Sequence, residues 1–192
     1  MRIIAGVAKG RTLASVSGAT RPTSDRAREG LFSSLTSEFG DFHGLHILDL
    51  FAGSGAIGLE ALSRGATIVH AVENESDAQK TITTNSELVV KAKPTGKFHL
   101  YSMSVQRFVS DAAHEQYHCV YVDPPYDFPS NELEEILRLL AEENFLKSDA
   151  FVAVERRAKG GKFNWPQSYE PVRERNYGQA TIYYANAGPV QA

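Results

Sequence analysis

Cysteine is nearly absent. Cys119 is the only one in 192 residues, so no intrachain disulfide can form and a reducing, cytoplasmic setting is expected. Long apolar runs are also absent, which excludes a helical membrane span. The opening Met1-Arg2-Ile3-Ile4-Ala5-Gly6 has only a brief apolar stretch before Lys9 and predicts no secretory signal. Metal-ligand spacing is missing. The six histidines (His43, His46, His70, His99, His114 and His118) fall in no H-E-x-x-H-like pattern, and no metal is expected. Ser54 lies in Gly-Ser-Gly without the Gly-x-Ser-x-Gly elbow that a serine hydrolase needs. Excess positive charge is lacking too: the net charge of -3 excludes a uniformly basic nucleic-acid binder.

The charge is uneven, however. Residues 1–30 carry Arg2, Lys9, Arg11, Arg21, Arg26 and Arg28 against Asp25 and Glu29, a net +4, and the remainder carries -7. A basic end on an acidic body is compatible with a local phosphate-facing patch and equally with a solvated face. The same ambiguity attaches to Arg156-Arg157-Ala158-Lys159-Gly160-Gly161-Lys162.

The pattern along the chain predicts one α/β domain. Arg2 to Ala5 and Arg11 to Val16 read as a small β-hairpin, and residues 17–20 as a linker. A helix follows, with Thr23 as N-cap and Ala27, Leu31 and Leu35 on one face. Strands are expected over 45–50, 67–73, 98–101, 118–122 and 151–155. Helices are expected over 56–64, from 76 to about 90, over 105–112 and over 131–140. Ser76 and Gln79 have the spacing of a capping box, and Gly65 is placed to end the helix before it. This alternation implies a mostly parallel sheet with helices on both faces. Residues 171–176 and 179–185 read as a closing antiparallel hairpin around Tyr177-Gly178, and residues 186–192 as a frayed tail.

Two loops carry the chemistry. Asp49-Leu50-Phe51-Ala52-Gly53-Ser54-Gly55, with Gly58, follows a strand and opens a helix, where glycines let the backbone turn tightly beside a ligand. Glu73 ends the next strand, in position to bind ribose hydroxyls. A carboxylate at Asp49, inside the crevice, suits the cationic methionyl end of S-adenosylmethionine and disfavours a pyrophosphate. Asp123-Pro124-Pro125-Tyr126 ends a later strand. An aryl amine is a poor nucleophile because its lone pair is delocalised. The Asp123 carboxylate and the Pro124 carbonyl, stiffened by Pro125, can accept its two N–H groups and aim the lone pair, while Tyr126 offers a stacking face.

These loops together resemble the amino-methylating nucleic-acid methyltransferases. The runs Arg2-Ile3-Ile4-Ala5-Gly6, Gly10-Arg11-x-Leu13, residues 21–32 from Arg21-Pro22-Thr23 to Leu31-Phe32, and Asp49 to Ala66 narrow the resemblance, as does Tyr177-Gly178. They resemble the bacterial 16S ribosomal RNA guanine-N2 methyltransferases over nearly the whole chain. The resemblance implies a seven-stranded class I methyltransferase fold (residues 21–185) with a small RNA-contacting N-terminal extension (residues 1–20). It also implies S-adenosylmethionine as cofactor and a guanine in the assembled 30S subunit as target. Apart from the resemblance, the chain is expected to act as a monomer. Carried over, Asp49, Phe51, Ala52, Gly53, Ser54, Gly55, Glu73, Asn74 and Asp123 hold the cofactor. Asp123, Pro124, Pro125 and Tyr126 hold the amine. Ser104 stands where the family often has Asp or Asn against the adenine, so the Val105 backbone is the alternative contact. Arg21, Thr23 and Arg26 border the cofactor or the RNA entrance. A DNA adenine or cytosine amino-methyltransferase shares both loops but usually adds a recognition region. An NAD-linked oxidoreductase would leave Asp123 to Tyr126 unexplained. A non-catalytic assembly factor would not need Asp123.

Overall fold

The computed structural model describes residues 1–16, 25–111, 115–158 and 163–188. Thr23 and Arg21 lie outside them. Its elements are α1 (Asp25–Phe39), β1 (His46–Leu50), α2 (Ala56–Ser63), β2 (Ile68–Glu73), α3 (Ser76–Val90), β3 (Lys97–Ser102), α4 (Val105–Ser110), β4 (Tyr117–Val122), α5 (Ser130–Glu142), β5 (Leu146–Arg157), β6 (Tyr169–Tyr177) and β7 (Ala180–Ala187). The seven strands form one sheet in the order β3-β2-β1-β4-β5-β7-β6. β1 to β5 pair in parallel, whereas β7 is antiparallel to both of its neighbours.

β1 is buried on both faces because helices cover both sides of the sheet, which is why it reads as a near-continuous apolar run. One layer packs Leu31, Phe32 and Leu35 of α1 and Ile57, Leu59 and Leu62 of α2 against Ile47, Tyr121 and Phe151. The other packs Leu133, Ile136, Leu137 and Leu140 of α5 against Leu48, Leu50, Val120 and Val152. Those four α5 residues recur at i, i+3, i+4 and i+7, the stripe of an amphipathic helix. The β6–β7 hairpin turns through Gly178, at φ 70°, followed by Gln179, which has no positive φ. That is the type II′ arrangement, where glycine takes the first central position. Among the described residues no helix is long and apolar enough to cross a membrane.

Four expectations need correction. The N-terminal segment forms no regular strands: a single antiparallel bridge joins Arg2 to Thr12. The segment still doubles back as a hairpin, with the Ile3 N–H donating to the Arg11 carbonyl, Gly10 to Ile3 and Leu13 to Met1, while the Ile4 and Ala5 N–H groups donate to buried Glu60 and the Ala8 N–H to Ser63 Oγ. The segment is therefore docked on α2, with Ile3, Ala8 and Leu13 in the core. Gly6 permits this close docking; a Cβ there would lie 1.8 Å from the Ser63 carbonyl oxygen. Second, α3 has Glu75 at its N-cap and no side-chain cap bond, so Ser76 and Gln79 form no capping box. Gln79 instead donates to the Glu73 and Asn74 carbonyls. Third, residues 186 and 187 belong to β7 and are not a frayed tail. The fourth is Arg28, which is 1% exposed and donates to the Arg2 carbonyl at 2.6 Å and to Asp25 at 2.9 Å. It ties α1 to the N-terminal segment and does not face solvent where phosphates would lie.

Candidate active site

β1 and β4 are central neighbours, with Leu50 paired to Val122. The loops that follow them, beginning at Phe51 and Asp123, therefore leave the same carboxyl edge side by side. This is where strand order reverses, and open parallel sheets bind ligands at that point. The Asp123 N–H donates to the Leu50 carbonyl at 3.3 Å, and the Phe51 ring meets Phe128 edge-on with centroids 5.1 Å apart. Phe128 had no signal in the sequence; only the fold brings it to Phe51.

The glycine loop is held open by its backbone. Phe51, Gly53 and Gly55 have φ of 59°, 56° and 74°. For Phe51 this is a sparsely populated conformation that the surroundings must enforce. A Cβ built on Gly53 would meet no heavy atom within 4 Å, so the loop presents bare backbone to open space, as a close-lying ligand requires. Gly58 differs: a Cβ there would come within 2.9 Å of Val69, so the glycine serves close packing of α2 on the sheet.

Glu73 governs the shape of this loop. Its Oε2 accepts the Gly53 N–H at 2.7 Å, and its Oε1 accepts the Asn74 and Glu75 N–H groups at 2.8 Å each. Asn85 on α3, to which no sequence motif points, is a second clamp. Its Nδ2 donates to the Ser54 and Ala14 carbonyls and its Oδ1 accepts the Ala14 N–H. A buried Asn so satisfied joins the N-terminal segment to the glycine loop.

Asp49 is fully enclosed, and its Oδ2 accepts the Gly58 N–H at 2.9 Å. Burial, reinforced by the Glu73 charge and opposed by the Gly58 bond, pushes its carboxyl up from 3.8 to about 7. The native state thus holds a proton that the unfolded chain sheds near 3.8. The resulting contribution to stability is complete below about 3.8 and is lost as pH rises through about 7. Asp49→Asn cannot ionise. In thermal melts of cofactor-free protein from about pH 4 to about pH 8, the wild type is expected to lose stability relative to this variant. Parallel curves would contradict the assignment.

Beyond β4, Pro124 is buried, Asp123 is half-buried, and Pro125 and Tyr126 are exposed. The Phe128 N–H donates to the Pro125 carbonyl at 2.9 Å, closing a turn with Tyr126 and Asp127 at its tip. Ser104 is the N-cap of α4, accepting the Arg107 N–H, and Val105 is buried. The Ser104 side chain is thus engaged in capping. Arg2, Lys9 and Arg26 are exposed and Arg11 is half-buried. Among the described residues no group of three His, Cys, Asp or Glu side chains is placed to hold a metal ion.

A parallel sheet in this order, closed by an antiparallel β7 and carrying these two loops at one edge, is the class I methyltransferase fold. A family model described as conserved hypothetical protein 95 matches residues 1–186, and the chain belongs to that family. It is 33% identical to ribosomal RNA small subunit methyltransferase D of Escherichia coli over 93% of this chain and 86% of that protein. The protein of that name from Haemophilus influenzae is also 33% identical, over 93% and 89%. Among solved structures, "Putative methyltransferase yhhF" from Escherichia coli superposes with a TM-score of 0.82 at 31% identity, covering 98% of each chain.

Proposed function

We propose that this chain transfers a methyl group from S-adenosylmethionine to the exocyclic N2 amine of a guanine in 16S ribosomal RNA, acting as a monomer on the assembled 30S subunit in the cytoplasm. The observation that carries this reading is the joining of the two loops. The glycine loop with Glu73 lies beside the Asp123 loop on adjoining strand ends, linked by the Asp123–Leu50 bond and the Phe51–Phe128 contact. The names of the relatives at 33% identity, which specify ribosomal RNA of the small subunit, support the substrate class.

Phe51 to Gly55, Glu73, Asn74 and the start of α4 at Ser104 and Val105 would hold the cofactor, and the enclosed Asp49, expected in the crevice, instead braces the start of α2 through Gly58. The bare backbone at Gly53 leaves room for it, and the Glu73 carboxylate lies at the loop's edge to meet ribose hydroxyls. When bound, it supplies an electrophilic methyl group on a sulfonium centre. The protein's own contribution is to make the amine a nucleophile. The Asp123 carboxylate and the Pro124 carbonyl accept the two N–H bonds, draw the nitrogen towards a pyramidal shape and aim its lone pair. Pro125 stiffens the backbone that holds these acceptors. Tyr126 at the tip of the turn stacks the extruded base, and Asp123 receives the proton that the nitrogen sheds. In a strain lacking the gene, nucleoside mass spectrometry of 16S ribosomal RNA should show one N2-methylguanosine missing. The wild-type gene should restore it; an unchanged profile in the deletion strain would sink the reading.

The docked N-terminal segment would supply phosphate contacts through Arg2, Lys9 and Arg11, with Arg21 and Arg26 further along. Replacing Arg2, Lys9 and Arg11 together by Ala is expected to weaken RNA binding and flatten its salt dependence by about 0.7–0.9 for each phosphate no longer neutralised. An unchanged slope in a salt titration of 30S binding would remove that role.

A further inference from the structure

β5 ends in two arginines that stand beside the amine-gripping loop. Val152 and Val154 face the α5 layer, so alternation along the strand puts Arg156 on that side and Arg157 on the other. Arg156 Nη2 donates to the Phe128 carbonyl at 3.2 Å, holding the far end of the turn that presents Tyr126. Its Nη1 is buried and has no hydrogen-bond partner among the described residues. Arg157 is exposed, with its guanidinium 5.9 Å from the centroid of the Tyr126 ring, which is itself 40% exposed. The loop between them carries Asp123 and Asp127, and the chain outside its first 30 residues is net -7. A polyanion approaching Tyr126 therefore meets two carboxylates on an acidic body, and on this side Arg156 and Arg157 offset them. Arginine suits the place: its planar ion lies against an aromatic ring and still presents N–H groups to phosphate oxygens.

We propose that Arg157 binds a backbone phosphate of the RNA strand whose target base stacks on Tyr126, and that Arg156 positions the loop from the opposite side. Arg157 is thus a second RNA contact, separate from the basic N-terminal segment, and the inference rests on the RNA-methylating function proposed above. A base laid on Tyr126 brings its own sugar and phosphate beside the Arg157 guanidinium, so one side chain serves both the ring and the strand.

The test uses the full chain and 30S subunits from cells lacking this activity. Arg157→Gln is expected to raise the KM for 30S subunits about tenfold with a smaller change in kcat. It should also make the salt slope of 30S binding shallower by about one, and leave S-adenosylmethionine affinity unchanged. Arg157→Lys should restore the salt slope. Arg156→Gln should lower kcat with little change in KM or slope; a loss of melting temperature alone, with kcat intact, would overturn its positioning role. Wild-type KM and slope in Arg157→Gln would overturn the phosphate contact. The slope is read from binding and needs no turnover. A wild type that binds 30S subunits and methylates nothing therefore counts against the proposed reaction, while the slope still decides on Arg157.

Discussion

Asp123→Ala is expected to lose methyl transfer by about 100- to 1,000-fold while keeping cofactor and RNA affinity. The magnitude is that of removing one pre-positioned polar group from a site whose catalysis is mostly orientation. The Asp123 backbone is fixed independently of its side chain, through its N–H bond to the Leu50 carbonyl in the neighbouring strand. Truncation should therefore leave the backbone at Asp123 in place and remove the carboxylate together with its charge interaction with Arg156. Pro124 would remain as the single acceptor, and the amine would keep more of its lone pair in the ring. Single-turnover assays with bound RNA, alongside calorimetry of S-adenosylmethionine binding, separate the two effects. Near-wild-type turnover would mean that the amine is oriented by something else.

The second large effect belongs to Glu73→Ala. One side chain accepts three backbone N–H groups, from Gly53, Asn74 and Glu75, and the residue is 9% exposed. Its removal strips acceptors from the glycine loop and from the turn after β2 together. Each buried donor so orphaned costs about 1–3 kcal/mol, and bonds to a charged group lie towards the upper end. For a protein of this size that predicts a fall in melting temperature of about 5 °C or more. The loop's left-handed backbone at Phe51 and Gly53 should relax with it, so cofactor affinity is expected to drop about 100-fold. RNA binding through the N-terminal segment should persist, because that segment is anchored to Glu60, Ser63 and Asn85. Unaltered cofactor affinity in a folded Glu73→Ala protein would show that Glu73 is only a structural brace.

The parallel part of the fold was legible because its signals are local. Apolar runs of strand length, glycines at helix ends and a Gly at the tip of the last hairpin all lie within a few residues of what they determine. The places of Glu73 and Asp123 were legible for a related reason: each sits at or just beyond a strand end, and parallel order sends those ends to one edge; Asp49 lies within β1, and its side chain is enclosed against Gly58, not in the crevice. The doubling back of the N-terminal segment was legible, but its docking was not. The Ile4, Ala5, Ala8 and Ala14 N–H groups are satisfied by Glu60, Ser63 and Asn85, which lie 55 to 71 residues away, and no periodicity within the segment announces such partners. Arg28 misled for the same reason, since one of its two acceptors is a carbonyl 26 residues earlier in the chain. Gln79 had the spacing of a capping box, but the Glu73 and Asn74 carbonyls compete for its amide and hold it. Phe128 and Arg156 acquire their positions only when β1, β4 and β5 lie side by side.

Methylation of a guanine amine in small-subunit RNA by two loops on adjoining strand ends is the reaction proposed for this chain. It is tested most directly by incubating the protein with radiolabelled S-adenosylmethionine and 30S subunits from cells lacking the activity, then digesting the RNA to nucleosides. Label is expected in N2-methylguanosine, and none with Asp123→Ala. Label in an adenine or cytosine product, or transfer that survives Asp123→Ala, would contradict it.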